Sequence, residues 1–116
     1  MSFSAIEKIN WPQGEADAQT LAYAATQAVT ITNMMTILTF AILTGDTTLN
    51  LTIDSQVRKG AKLVLKVPAT NNADDLTLGT GIDAPVIVGV ATKTKTQSFT
   101  YDGTLFIPDG AAVQID

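Results

Sequence analysis

Few of the 116 residues have the type and spacing to do chemistry. Gly79-Thr80-Gly81-Ile82-Asp83-Ala84 fits the loose G-x-G-x-x-G/A pattern of a dinucleotide-binding turn. That pattern works only where a helix starts at the glycines, because the helix N-terminus holds the pyrophosphate. Here Pro85-Val86-Ile87-Val88 follows, a β-forming run, so the motif reads as a glycine turn. Asp74, Asp75 and Asp83 offer oxygens for calcium, but they lack the D-x-D-x-D spacing and a bidentate Glu after it, and read as loop aspartates. A glycosidase-like carboxylate pair needs a defined separation, which an acidic sequence alone does not specify. Asn50-Leu51-Thr52 is a formal glycosylation sequon and reads as ordinary strand polarity. Lys93 and Lys95 sit in a Thr-rich stretch and read as a solvated face.

Composition removes most other chemistry. The chain has no Cys, which excludes disulfides, thiolate nucleophiles and Cys-ligated metal sites. It has no His, the commonest acid–base residue near neutral pH and the commonest metal ligand. A non-enzyme is expected, with no catalytic residue, no cofactor and no metal. The net charge is −4 and the seven cations form no tract, so no nucleic-acid partner is expected. The first ten residues mix Glu7 and Lys8 into a short apolar pattern and do not read as a targeting signal. Residues 34–43 are the most apolar stretch and too short to span a bilayer, so no membrane partner is expected either. The missing cysteines agree with assembly in a reducing cytoplasm.

The elements that must position these groups read as strands. Apolar residues make up 46% of a 12.2 kDa chain, enough for one core without staples. Thr is the commonest polar residue, and Thr, Val and Ile favour pleated, half-buried surfaces. Ala18, Leu21, Ala22 and Ala25 fit helical spacing, yet a period of two carries on through the β-branched run and predicts one strand over residues 20–32. Residues 34–43 are apolar on both faces and predict a strand buried on both sides. Leu49, Leu51 and Ile53 alternate with polar neighbours, as do Leu63, Leu65 and Val67. Residues 68–74 read as a polar connection, and Leu76 and Leu78 as a short strand. Residues 85–91 read as a strong strand opened by Pro85. Asp102-Gly103 between two alternating runs predicts a hairpin with a type I′ turn. Ala111, Val113 and Ile115 read as a last strand. The expectation is all-β: an antiparallel, jelly-roll-like β-sandwich of about eight or nine short strands.

Residues 1–20 differ from the β domain expected over 21–116. Phe3, Ile6, Ile9 and Trp11 are apolar anchors without β alternation, set apart by Pro12-Gln13-Gly14. They read as a terminal arm, packed on its own domain or docked on a partner; Trp11 is the only Trp, and aromatic anchors are over-represented at interfaces.

One ordered set of segments is more specific. Gly45-Asp46-Thr47-Thr48-Leu49-Asn50-Leu51 precedes Gly60-Ala61-Lys62-Leu63-Val64-Leu65. Leu76-Thr77-Leu78, Pro85-Val86-Ile87 and Ser98-Phe99-Thr100-Tyr101-Asp102-Gly103-Thr104 follow. Across residues 26–107 this order resembles the small β modules of tailed-bacteriophage virion proteins, found in tail-fibre knobs, head fibres and capsid decorations. The resemblance implies a jelly-roll-like homotrimer on the virion surface, assembled in the host bacterial cytoplasm. It implies that Phe99, Tyr101, Asp102 and Gly103 are structural. With only a short arm before the module, a head fibre or capsid decoration is expected, with Phe3, Ile6, Ile9 and Trp11 attaching it to a capsid protein. The two-sided apolar runs over 34–43 and 85–91 agree with self-association. The other binding reading is a lectin-like module for host-surface glycans, with Trp11, Tyr23 and Tyr101 as its scarce aromatics.

Overall fold

The computed structural model describes residues 16–67 and 74–115. The arm residues Phe3, Ile6, Ile9 and Trp11 lie outside these, as does most of the polar connection over 68–74. The described chain is all-β and contains no helix. Its strands are β1 (Asp17–Leu21), β2 (Thr26–Ile31), β3 (Met35–Phe40), β4 (Thr47–Ile53), β5 (Lys62–Val67), β6 (Leu76–Leu78), β7 (Lys95–Tyr101), β8 (Phe106–Pro108) and β9 (Val113–Gln114).

The strands form two sheets, one ordered β1-β3-β5-β7-β8 with β9 also on β7, the other ordered β2-β4-β6. Successive strands from β1 to β6 alternate between the sheets, so the chain winds as three turns. Parallel ladders follow: Asp17 pairs with Thr36, Met35 with Lys62, Thr26 with Thr48 and Thr47 with Leu76. β7 then runs antiparallel to β5, with Leu63 opposite Phe99, and closes the first sheet together with β8 and β9. The expected antiparallel, jelly-roll-like pairing is therefore corrected to mixed sheets. Consecutive strands can pair antiparallel through a tight turn, whereas parallel neighbours need a crossover connection. The connections over 22–25 and 32–34 cross from one sheet to the other.

Alternation decides which side chains go inside. Leu38, Leu63, Leu65, Phe40, Phe99 and Phe106 from the first sheet meet Ile31, Leu49, Leu51 and Leu76 from the second in one buried cluster. The strand expected over 20–32 is two strands, β1 and β2. Inward positions are odd-numbered on both, so the four-residue crossing preserves parity and hides the break from the sequence pattern. The run over 34–43 buries Thr36, Leu38 and Phe40 but leaves Met35, Ile37 and Thr39 half-covered, so it is buried on one face, not two. Residues 85–91 form no strand; Ile87 bridges to Leu76, through N–H···O bonds of 2.9 and 3.0 Å. β6 is only three residues long and offers this segment a short edge.

The hairpin forms as expected, but its centre moves on by one residue. Asp102 N–H donates to the Leu105 carbonyl, and Gly103 alone in the turn has a positive φ, +101°. A type I′ turn needs two such residues, so the expected turn type is corrected. Asp102 Oδ1 takes the N–H groups of Thr104 and Leu105, both at 2.8 Å, and sets the geometry instead. Beyond it, β8 and β9 form a single edge interrupted over 109–112, where Gln97 Nε2 fills the gap by donating to the Gly110 carbonyl at 2.8 Å.

Candidate interaction surface

Winding gives the molecule two chemically different ends. At one, β1, β3 and β5 end and β2, β4 and β6 begin; at the other, residues 32–34 and 54–61 lead back from the second sheet to the first. Among the described residues, the exposed large apolar side chains are Tyr23, Ile42, Val86, Val88, Val90, Val113 and Ile115. The topology brings all seven to the first end. Tyr23 and Ile42 stand on its connections. Ile87 pairs antiparallel with the first residue of β6, so Val88 and Val90 run on past that strand's start. Val113 pairs with Thr96, and Ile115 N–H donates to the Thr94 carbonyl, beside the end of β5 where Val67 faces Lys95. Val88, at 57% exposed, is as open as Val113.

Hydrogen bonds tie these connections together. Tyr23 Oη donates to the Asp46 carbonyl at 3.0 Å, and its ring lies so close to Gly45 that a Cβ there would stand 2.7 Å from the hydroxyl. Asp75 N–H donates to Asp46 Oδ1 at 2.9 Å, and Gly89 N–H to Asp75 Oδ1 at 3.2 Å. The buried Thr47 hydroxyl donates to the Ala24 carbonyl. Lys93 N–H returns to the Val90 carbonyl at 3.0 Å. Every winding turn is thus held to the next at this end, and the apolar side chains ride on a tied scaffold.

Charge divides between the ends as well. Among the described residues, Lys66, Lys93 and Lys95 share the apolar end with Asp46, Asp74 and Asp75, in equal numbers. At the other end Arg58 and Lys59 stand with Asp54, Asp83 and Asp102, an acidic balance. There the polar groups are used structurally. Lys62 Nζ, Thr100 Oγ1 and Asp109 form an exposed cluster, with a Lys62–Asp109 ion pair of 3.4 Å. The Thr100 hydroxyl, with Lys62 beside it, holds the Asp109 carboxyl below its ordinary pKa.

The residues singled out in the sequence for chemistry go elsewhere. Gly79 N–H donates to the Leu49 carbonyl at 2.8 Å, and Leu51 N–H to Thr80 at 2.8 Å, so the glycine turn extends the β4–β6 ladder. No helix follows it to hold a phosphate. Asn50, the sequon residue, spends Oδ1 on the Thr80 N–H at 2.9 Å. Asp83 is bound at the acidic end, its N–H on the Phe106 carbonyl, away from Asp74 and Asp75. Tyr101 packs against the core with its ring 5.2 Å from Phe106. A cleft of about 220 Å³ lies along Gln97, Ser98, Asp109 and Val113, smaller than the 300 Å³ or more typical of small-molecule sites.

The sequence placed Val86, Val88 and Val90 in a strand with apolar residues on both faces and linked that excess to self-association; the structure leaves the three exposed without the strand. Ile87 and Gly89 face inward, and the alternate set carries no polar residue. Comparison with protein families, with curated proteins and with solved structures found no match to this chain.

Proposed function

We propose that the chain is a non-enzymatic structural module of a tailed-bacteriophage particle: a two-layer β-sandwich that forms a homotrimeric head fibre or capsid decoration. The observation that carries the self-association is the gathering of Tyr23, Ile42, Val86, Val88 and Val90 at one end. Contiguous exposed apolar area of this kind marks interaction sites on soluble domains. The phage setting and the threefold order rest on the resemblance over residues 26–107. β1 runs toward the apolar end, so the chain before residue 16 joins the domain at the opposite, acidic end. In this reading an arm bearing Phe3, Ile6, Ile9 and Trp11 holds a capsid protein and the apolar end meets sister copies.

Absolute molar mass in solution tests this reading. Three times the 12.2 kDa of one chain is the expected value, and a single-chain mass at every dilution overturns it. Removing residues 1–12 is expected to leave that mass unchanged and to abolish capsid binding; retained binding overturns the arm's role. A second reading, recognition of a host-surface glycan, is favoured by Tyr23 alone, an exposed ring beside polar loop atoms. A glycan array without binding removes it.

A further inference from the structure

We infer that the apolar end is the surface through which copies of this chain meet, with the edges of the first sheet and the outer sheet faces left out of the contact. This rests on the self-association just proposed and names the surface and the occupant: a second copy of the same chain.

The area is of the right order. With Ile42 at 51%, Val88 at 57%, Val113 at 57% and Ile115 at 55% exposed, the seven side chains leave on the order of 500 Å² open. Adding the polar rim brings the end close to the ~800 Å² that each partner buries in an ordinary stable interface. The charges select the occupant. Among the described residues, Lys66, Lys93 and Lys95 share that end with Asp46, Asp74 and Asp75. A rim with equal numbers of both signs complements another copy of itself. It offers no excess of positive charge to an anionic membrane or a nucleic acid.

The edges of the first sheet are protected against the alternative of edge-to-edge pairing. β1 directs Asp17 and Gln19 inward, and Gln19 Nε2 holds Asp17 Oδ2 at 3.1 Å. Inward polar groups on an edge strand oppose pairing with another chain. The opposite edge carries Pro108 and the interruption over 109–112, which act the same way. The outer face of the second sheet presents Thr26, Thr30 and Thr52, exposed and polar, and on the outer face of the first the exposed Lys62 and Lys66 flank the half-buried Met35, Ile37 and Val64.

The full chain carrying Val88→Glu tests the assignment, with Ile42→Glu as an independent second variant. Both side chains are exposed, so a charge is tolerated in the free chain and penalised only where the surface is covered. Each is expected to weaken self-association by about 30-fold or more in light-scattering dilution series, as for a central interface residue. Circular dichroism should stay that of the unsubstituted chain. Ala28→Glu, on the outer face of β2, is expected to leave the mass unchanged. If the unsubstituted chain is multimeric and both glutamate variants keep its mass, the surface assignment is overturned while self-association stands. If Ala28→Glu dissociates it and Val88→Glu does not, the contact lies on a sheet face and the inference fails. A single-chain mass for the unsubstituted protein removes the inference together with the reading beneath it. That outcome, combined with Val88→Glu exposing residues 1–15 to protease, would make the chain's own arm the occupant.

Discussion

Asp46 Oδ1 accepts the backbone N–H of Asp75 at 2.9 Å, which fastens the connection after β3 to the strand start of β6. Asp75 in turn accepts the Gly89 N–H, so one carboxylate positions the next. Replacing Asp46 with Ala leaves an N–H without its partner at a partly covered site. A loss of about 1 kcal/mol is expected, in the range for a hydrogen bond to a charged acceptor exposed to water. Amide hydrogen exchange is expected to speed up at Asp75 and Gly89 and to stay unchanged at Leu63 and Phe99. Equal protection at Asp75 in the variant would show that the tie carries no stability.

Gly79 is required by close approach, not by backbone conformation. A Cβ on it would stand 2.2 Å from Asn50 Oδ1 and 3.2 Å from the Leu49 carbonyl. The Asn50 side chain cannot retreat without releasing the Thr80 N–H it accepts. Gly79→Ala is therefore expected to destabilise by about 2 kcal/mol, combining overpacking with a lost hydrogen bond. Gly110→Ala, with nothing near its Cβ, is the control and is expected to fall within about 0.5 kcal/mol of the parent. Urea midpoints at constant slope measure both.

The two layers' inner faces were readable because period-two alternation sets burial whatever a strand pairs with. Leu49 and Leu51 go inside, as do Leu63, Leu65 and Val67. The partners were not readable, for the same reason: the alternation of β4 is identical beside a parallel or an antiparallel neighbour. Turn chemistry carried that information. Asp102-Gly103 announced the one adjacent antiparallel pair, while Ala22-Tyr23-Ala24-Ala25 and Thr32-Asn33-Met34 lack hairpin residues and cross between sheets. The apolar end failed to show because its members are far apart in sequence. Tyr23, Ile42, Val88 and Ile115 share a surface only through the winding. The residues first assigned to partner binding, Phe3, Ile6, Ile9 and Trp11, lie outside the described residues.

Thr36 is fully buried on the inner face of β3, between Asp17 and Leu63, and its Oγ1 has no hydrogen-bond partner among the described residues. An unmade hydrogen bond in the core costs about 1–3 kcal/mol. Valine replaces that hydroxyl with a methyl group of nearly the same shape. Thr36→Val is expected to stabilise the fold by about 1 kcal/mol, seen as a higher urea midpoint without a change in slope. Thr39→Val, half-covered on the outer face, should gain less. A lower midpoint for Thr36→Val would show that the hydroxyl is satisfied in solution by a group such as a buried water.

Acid should weaken the C-terminal hairpin first. The backbone N–H groups of Leu105 and Thr104 on Asp102 hold its carboxyl below the ordinary value of 3.8. Asp109 is lowered too, chiefly by the Thr100 hydroxyl and then by Lys62. A carboxylate whose pKa is lower in the folded state binds fewer protons there than when unfolded. Stability therefore rises with pH through this window. The contribution is fully present above about pH 4, near the unfolded pKa, and is lost as pH falls through the lowered folded values. Both side chains are exposed, so screening keeps the effect small and 1 M salt should diminish the Lys62 part. Urea midpoints between pH 7 and pH 2.5 are expected to fall less steeply in Asp102→Asn and Asp109→Asn than in the parent chain. Parallel curves for all three proteins would place the acid sensitivity at other carboxylates.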